Sequence, residues 1–378
     1  MKLIKGGVTS PKGFKANGFW AGVKKSGKPD LGLVYSETIC TSAAVFTRSS
    51  VKAAPIIVCQ ENISDGKTQA LIANSGNANC FTGEYGLMYA RKMTELVADQ
   101  CGIKASNVLV MSTGIIGRPF PYEKFKEAVP KLVSGLSQAK GASFAKAIMT
   151  TDLKDKQVAV RIEIDGKIIT IGGCAKGSGM IEPNMATMLA CVTTDAVISS
   201  AMLKQALLEA VEVSFNSITV DGCMSTNDML SVMANGMAGN KNITAKNSSY
   251  KAFVEALTAV CVKLARDIVF DGEGAERFFE IRLTGAESNQ QAKEVAMKIA
   301  NSNLVKTADY TDNPNWGRVA AAIGACGTKA TETTIKISFS VKRNNIFINA
   351  DIGLGTGSAT VYTCDLTRAY VDINGKYN

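Results

Sequence analysis

The sequence predicts a mixed α/β fold, and two observations carry that reading. Short apolar runs alternate with helix-length amphipathic stretches along the 378 residues. Two hairpin signals then interrupt the pattern that a purely parallel sheet would show. In the first, Val158, Val160, Ile162 and Ile164 alternate with polar or small residues, and Asp165-Gly166 turns the chain into Ile168, Thr170 and Ile171. The second surrounds Lys342 to Asn345. Hydrophobic residues make up 46% and charged residues 20%, which excludes wholesale disorder. The length suffices for one large core or two domains.

Taken in order, residues 31–34 and 56–58 read as strands, and residues 71–73 lead into a turn-rich stretch over 74–79. A helix is expected from about Glu84 to Cys101, with Leu87, Met88, Met93, Leu96 and Val97 near one face and Gly102 as its stop. Residues 107–111 read as a strand, and Pro121 is placed to start a helix. A glycine-rich passage over 172–179 follows the first hairpin, then a buried strand over 187–194. Helices are expected at about 200–214 and 249–269, the latter with Phe253, Leu257, Val260, Leu264 and Ile268 in register. After Asp271-Gly-Glu-Gly274 come a strand over 278–283, a helix at about 287–300 and a Pro/Asn/Trp/Gly turn into another helix. These changes of texture place a soft boundary near residue 275, giving a main domain 1–275 and a smaller one 276–378.

Composition narrows the chemistry. The chain has no histidine, which excludes Ser-His-Asp triads, Cys-His dyads and His-ligated zinc. Acid–base work must fall to carboxylates, Lys, Cys, Tyr or a terminal amine. Lys+Arg 42 against Asp+Glu 33 gives +9, but the charges are scattered, so they read as a solubilising surface rather than a nucleic-acid stripe. An anionic small substrate fits that balance. The ten cysteines show no C-x-x-C spacing and sit mostly among apolar neighbours, as reduced core cysteines do; neither a metal nor a disulfide is expected. The first residues lack the apolar core of a signal peptide and no window reaches membrane-spanning length, so a cytoplasmic protein is expected.

One segment stands out, Lys176-Gly-Ser-Gly-Met-Ile-Glu-Pro-Asn-Met-Ala186-Thr187. It lacks the order of a phosphate-binding loop, and on residue types alone it is a loop feeding a strand. An internal Thr hydroxyl is a poor nucleophile without a base. Were the Ala186–Thr187 bond cut, however, Thr187 would carry its own α-amine, with an unperturbed pKa of about 7.7–8.0, beside its hydroxyl. That is one of the few nucleophile–base pairs open to a chain without histidine. The small Ala186 side chain would not obstruct attack on its carbonyl.

The chain also resembles a known family over essentially its whole length. The shared motifs are Thr9-Ser-Pro-Lys-Gly-Phe14, Ala73-Asn-Ser-Gly-Asn-Ala-Asn79, Ser112-Thr-Gly-Ile-Ile-Gly117, Met149-Thr-Thr-Asp152 and the segment from Lys176 to Thr187. They continue with Thr219-Val-Asp-Gly222, Ser225-Thr-Asn-Asp228, Asp271-Gly-Glu-Gly274, Asn313-Pro-Asn-Trp-Gly-Arg318 and Cys364-Asp-Leu-Thr367. In this order they resemble the ArgJ family, the ornithine acetyltransferases (glutamate N-acetyltransferases) of arginine biosynthesis. The resemblance implies a layered α-β-β-α sandwich of the self-cleaving aminopeptidase type with a smaller C-terminal α/β domain. It implies self-cleavage between Ala186 and Thr187 into chains 1–186 and 187–378, assembled as two of each or more. Thr187 would then be the acetyl-accepting nucleophile. Thr113, by its hydroxyl, and Gly114, by its backbone N–H, would form the oxyanion hole. Thr150, Lys176, Thr187, Glu273 and Asn374 would bind substrate.

The resemblance further implies ping-pong acetyl transfer from N2-acetyl-L-ornithine to L-glutamate with no metal or other cofactor, and acetyl-CoA as a second donor in the bifunctional members. Two positions depart from the family pattern. Cys223-Met224 replace the frequent Asp-Thr, and Asn378 follows Tyr377 where a Ser or Thr two residues after the Tyr usually contacts substrate. Two other readings stay open from the residues alone: an amidase or aminopeptidase on the same self-cleaving fold, and a non-catalytic basic binding protein.

Overall fold

The computed structural model describes residues 1–182, 188–310 and 314–376. Among them the chain divides into two units. The first comprises Met1–Gly177, Asn184–Phe215 and Met224–Ala265; the second comprises Ser178–Pro183, Asn216–Cys223 and Arg266–Asn378.

The first unit holds strands β1 (Lys2–Ile4), β2 (Phe14–Phe19), β3 (Leu31–Phe46), β4 (Lys67–Asn77), β5 (Val108–Ile115), β6 (Lys156–Ile164), β7 (Lys167–Lys176), β8 (Leu189–Thr194) and β9 (Met229–Ala234). Its helices are α1 (Ala54–Asn62), α2 (Gly83–Cys101), α3 (Tyr122–Ser134), α4 (Gly141–Ala147), α5 (Ser200–Glu212) and residues 248–265 of α6 (Ser248–Phe270). Eight strands run in the order β1-β6-β7-β8-β9-β3-β4-β5, and β2 pairs with β3. Only β4/β5 and β8/β9 are parallel. The mixed sheet expected from the hairpins is therefore present. All six residues of β8 and of β9 are buried, as strands covered on both faces require. The 16-residue β3 pairs with β4 and β2 through its first half and with β9 through its second, with a register shift between Tyr35 and Cys40.

Local chemistry sets several elements as read. The β6–β7 hairpin turns at Asp165 and Gly166 with φ of 51° and 73°, the two positive values of a type I′ turn. Helix α2 stops at Gly102, in the left-handed region, after burying Met93 and Val97. Helices α5 and α6 match the expected spans closely.

Five expectations about single elements are corrected. Residues 56–58 lie in helix α1, not in a strand. Pro55, in the first turn, presets a helical φ and has no N–H to leave unsatisfied. Burial of Ile56, Val58 and Cys59 then outweighs their β preference. The turn-rich 74–79 is strand β4 as far as Asn77, because its polar side chains find buried partners. Asn74 Nδ2 donates to the Asn77 carbonyl (2.8 Å), and Ser75 Oγ to the Ala147 carbonyl (2.5 Å). Strand β7 continues through the glycine-rich 172–176, paired on one side with β6 and on the other with β8. Pro121 is the N-cap residue rather than the first helical residue, so α3 begins one residue later, at Tyr122. The expected strand over 187–194 begins at Leu189 among the described residues.

The second unit contains β10 (Phe278–Ala286), α7 (Asn289–Ala300), α8 (Asn303–Lys306), α9 (Trp316–Gly324), β11 (Lys336–Lys342), β12 (Asn345–Asp351), β13 (Gly357–Cys364) and α10 (Arg368–Lys376). Its sheet runs β11-β12-β10-β13, with β10/β12 parallel. Phe279, Ile281, Leu283, Val295, Ile299 and Ile348 form its core. Ser288 caps α7 by accepting from the Gln291 N–H (3.1 Å), a bond worth about 1 kcal/mol. Its last long segment starts at Arg266, where the sequence reading placed a boundary near residue 275. The two earlier segments belong with it because Ile218 bridges to Tyr362 and the Asp221 carboxylate accepts the N–H groups of Met180 and Ile181.

Candidate active site

In the first unit, Thr113 and Gly114 lie in the last three residues of β5, and buried polar side chains fix that end. Ser112 Oγ donates to Asn74 Oδ1 (2.6 Å), while Asn227 Nδ2 donates to the carbonyls of Ser112 (2.8 Å) and Ala78 (2.6 Å). Gly114 has φ +133° and lies against the backbone of Gly76 and Asn77, so no side chain fits there. Thr113 is half-buried beside it.

Lys176, the last residue of β7, is also buried, and its Nζ donates to Thr113 Oγ1 (3.3 Å). Close by, Asp152 accepts from Lys156 Nζ (2.7 Å), the Gly177 N–H (2.7 Å) and the Thr150 N–H (2.9 Å). Burial pushes the Asp152 carboxyl up. The charges of Lys176 and Lys156, with the bonds from Lys156 and Gly177, overcome that and hold it well below the usual carboxylate range. Thus Thr150, Lys176, Thr113 and Gly114 share one unit, with Asp152 fixing the Thr150 end.

Two further groups here escaped the sequence reading. Lys24 Nζ donates to the carbonyls of Met149 (2.6 Å) and Pro29 (3.0 Å). Burial brings its ammonium down to about 8, against the opposing pull of Asp30 and Asp152, and the like charge of Lys176 adds to the fall. The sequence around Lys24 does not mark it, because Met149, Asp152 and Lys176, which bring it to this site, lie far along the chain. Asp228 is buried, and among the described residues its Oδ2 has no hydrogen-bond partner; neither has Ser231 Oγ. Burial lifts the Asp228 carboxyl well above its usual range, with Ser225 hydrogen bonds and the Lys176 charge opposing. Its motif was visible in the sequence; its burial was not.

In the second unit, Glu273 is buried and accepts from Asn374 Nδ2 on α10 (2.7 Å). The Glu273 N–H donates to the Ser178 carbonyl (2.9 Å), and Gly179 packs against the carboxylate. Ala186, Thr187 and Asn378 lie outside the described residues. Cysteine nucleophiles are poorly supported: burial pushes the thiols of Cys40, Cys59, Cys191 and Cys261 up to about 12. Among the described residues no cluster of three or more Cys, Asp or Glu side chains could hold a metal, and no helix is long and apolar enough to cross a membrane.

The ArgJ family profile matches residues 15–343. The arginine biosynthesis bifunctional protein ArgJ of Symbiobacterium thermophilum is 43% identical, with all of both chains covered. The protein of the same name from Caldanaerobacter subterraneus is 44% identical, again over the full length of both. This chain belongs to the ArgJ family. Among solved structures, an ornithine acetyltransferase of Mycobacterium tuberculosis complexed with ornithine is 40% identical; the match covers 49% of this chain and 99% of that one, with a TM-score of 0.47. Within the ArgJ family frame, the motif residues Asn74, Ser112, Asp152, Lys176, Asn227 and Asp228 all belong to the first unit.

Proposed function

We propose that this ArgJ-family chain is an acetyltransferase of arginine biosynthesis that first cleaves itself at Ala186–Thr187. The Thr187 hydroxyl attacks the Ala186 carbonyl carbon. The peptide C–N bond breaks, the nitrogen takes the hydroxyl proton, and an ester joins Ala186 to Thr187 Oγ. Water then hydrolyses that ester, leaving a carboxylate on Ala186 and a free hydroxyl and α-amine on Thr187.

In the transfer reaction the same hydroxyl attacks the acetyl carbonyl of N2-acetyl-L-ornithine and passes its proton to the α-amine. The oxyanion is held by the Thr113 hydroxyl and the Gly114 N–H; one such donor is worth about 3 kcal/mol. The acetyl C–N bond breaks and ornithine leaves with the proton; the L-glutamate amine then attacks the acetyl-Thr187 ester, the acyl C–O bond breaks, and acetylglutamate leaves as the amine proton returns to the Thr187 hydroxyl. Lys176 offers a cation to a substrate carboxylate, Glu273 an anion to an ammonium, and Thr150 and Asn374 complete the binding positions. No step calls on a metal. Acetyl-CoA is proposed as a second donor, releasing its thiol at the first half-reaction, and two chains of each kind as the assembly.

The observation that carries the reading is the bond from Lys176 Nζ to Thr113 Oγ1 at the fixed end of β5. A cation beside the Thr113 hydroxyl supports the reading of Thr113 as an oxyanion donor next to a substrate-binding Lys176. Denaturing mass spectrometry tests it. Purified protein should appear as residues 1–186 and 187–378 without added protease, and Thr187→Ala as one chain. After acetylornithine alone the 187–378 fragment should gain one acetyl, which glutamate removes as acetylglutamate. Free acetate in place of acetylglutamate would make the chain a hydrolase, and cleavage in Thr187→Ala at the same bond would end the nucleophile assignment.

A further inference from the structure

The motif Thr219-Val-Asp-Gly222 has no part in the chemistry above, yet within the second unit it is the surface on which residues 180–182 lie. The Ile181 carbonyl accepts from the Val220 N–H (2.7 Å) and from Thr219 Oγ1 (3.1 Å). The Asp221 carboxylate takes two successive backbone donors, the Met180 N–H on Oδ2 (2.6 Å) and the Ile181 N–H on Oδ1 (2.9 Å). It also accepts from the Cys223 N–H (3.2 Å) and from the Tyr370 hydroxyl on α10 (3.2 Å). One residue on, Glu182 Oε2 accepts from Asn301 Nδ2 (2.6 Å).

Met180 explains why such a grip is needed. Its φ is +58°, a left-handed conformation that a non-glycine residue adopts only when its surroundings impose it. The residue is 44% exposed, so burial of its side chain does not impose it. The bonds to Asp221 do. Backbone strain of this kind concentrates at functional segments, and this one leads towards the Ala186–Thr187 bond. Ala186 is four steps along the chain from Glu182, a reach of at most about 14 Å. Fixing residues 180–182 therefore limits the volume that the Ala186 carbonyl can sample before attack.

We infer that Asp221 is a positioning residue for self-cleavage, holding residues 180–182 in a strained turn upstream of the scissile bond. The inference rests on the cleavage proposed above. Its test follows the appearance of the 187–378 fragment by denaturing mass spectrometry in freshly made full-length protein. The variants compared with wild type are Asp221→Asn, Met180→Gly and the two combined, each with its melting temperature. Asparagine keeps the shape but turns one acceptor oxygen into a donor facing a backbone N–H. Asp221→Asn is expected to cleave at least about tenfold more slowly, a loss of the size that misplacement of a reacting group produces. Adding Met180→Gly should recover part of that rate, because glycine reaches φ +58° without penalty. Wild-type protein that stays a single chain would overturn the cleavage reading and this inference with it. Wild-type cleavage matched by Asp221→Asn would overturn the Asp221 role alone. Slow cleavage with a lowered melting temperature and no recovery from Met180→Gly would also overturn it, since the defect would then be a general loss of structure.

Discussion

The Lys176 ammonium donates to the Thr113 hydroxyl across 3.3 Å, joining the last residue of β7 to the end of β5. The two residues are 63 apart in sequence. The charge of the same lysine also acts on Asp152, Asp228 and Lys24, so one cation influences several titratable groups of the first unit.

Thr113→Ala should lower kcat for acetyl transfer by about 10²–10³, the usual loss for one oxyanion donor. The melting temperature should move little, because Thr113 is only half-buried and Ser112 and Asn227 still fix the strand end. Steady-state kinetics with both substrates and a thermal melt decide it. An unchanged kcat would remove Thr113 from the site.

Gly114→Ala should damage both activity and stability. The added methyl would meet the backbone of Gly76 and Asn77, and φ +133° is itself closed to alanine. Strain of this kind costs about 1–3 kcal/mol, enough to be read in a urea titration. Stability equal to wild type would mean that the strand end relaxes freely.

Asp152→Asn leaves the buried Lys156 ammonium without its anion and should destabilise the fold by about 3–5 kcal/mol at neutral pH. The folded state depresses the Asp152 carboxyl, so its contribution is complete above the ordinary carboxylate value of about 4. It fades as pH falls below that value towards the depressed one. The stability gap between wild type and Asp152→Asn should therefore narrow only in acid below about pH 4. A gap that closes near pH 6 would contradict the assignment.

Lys24 is also depressed in the fold, but here burial disfavours the charged form, and the window lies in alkali. Its ammonium titrates near 8 in the fold against an ordinary value of 10.5, so between these values the unfolded chain holds a proton that the folded chain has lost. This group therefore adds stability as pH rises through that window, and its burial cost is felt in full below 8. Labelling with an amine-selective reagent, read peptide by peptide, should give Lys24 a midpoint near 8. Lys176→Met removes a neighbouring positive charge and should move that midpoint upward. An unmoved midpoint would separate the two lysines electrostatically.

The sequence by itself determined the elements whose cause is local. Asp165-Gly166 supplies the two positive φ values of a hairpin turn, and Gly102 supplies the stop of α2. The absence of histidine, with a threonine after a small residue, was enough to turn attention to Ala186–Thr187. Local pattern failed where distant partners decide. Residues 56–58 have strand-like side chains, but Pro55 starts a helix that pins Asn62 to the Ala105 and Val108 carbonyls. Residues 74–77 look like a turn because Asn and Ser favour turns. They form a strand because Ala147 and Ser112 meet their side chains inside the protein. Only the folded arrangement brought Lys176 to Thr113, buried Asp228, and laid Met180 and Ile181 on Asp221. Burial and charge pairing depend on which remote segments converge, and a spacing rule that reaches one turn of helix or one step of strand cannot register them.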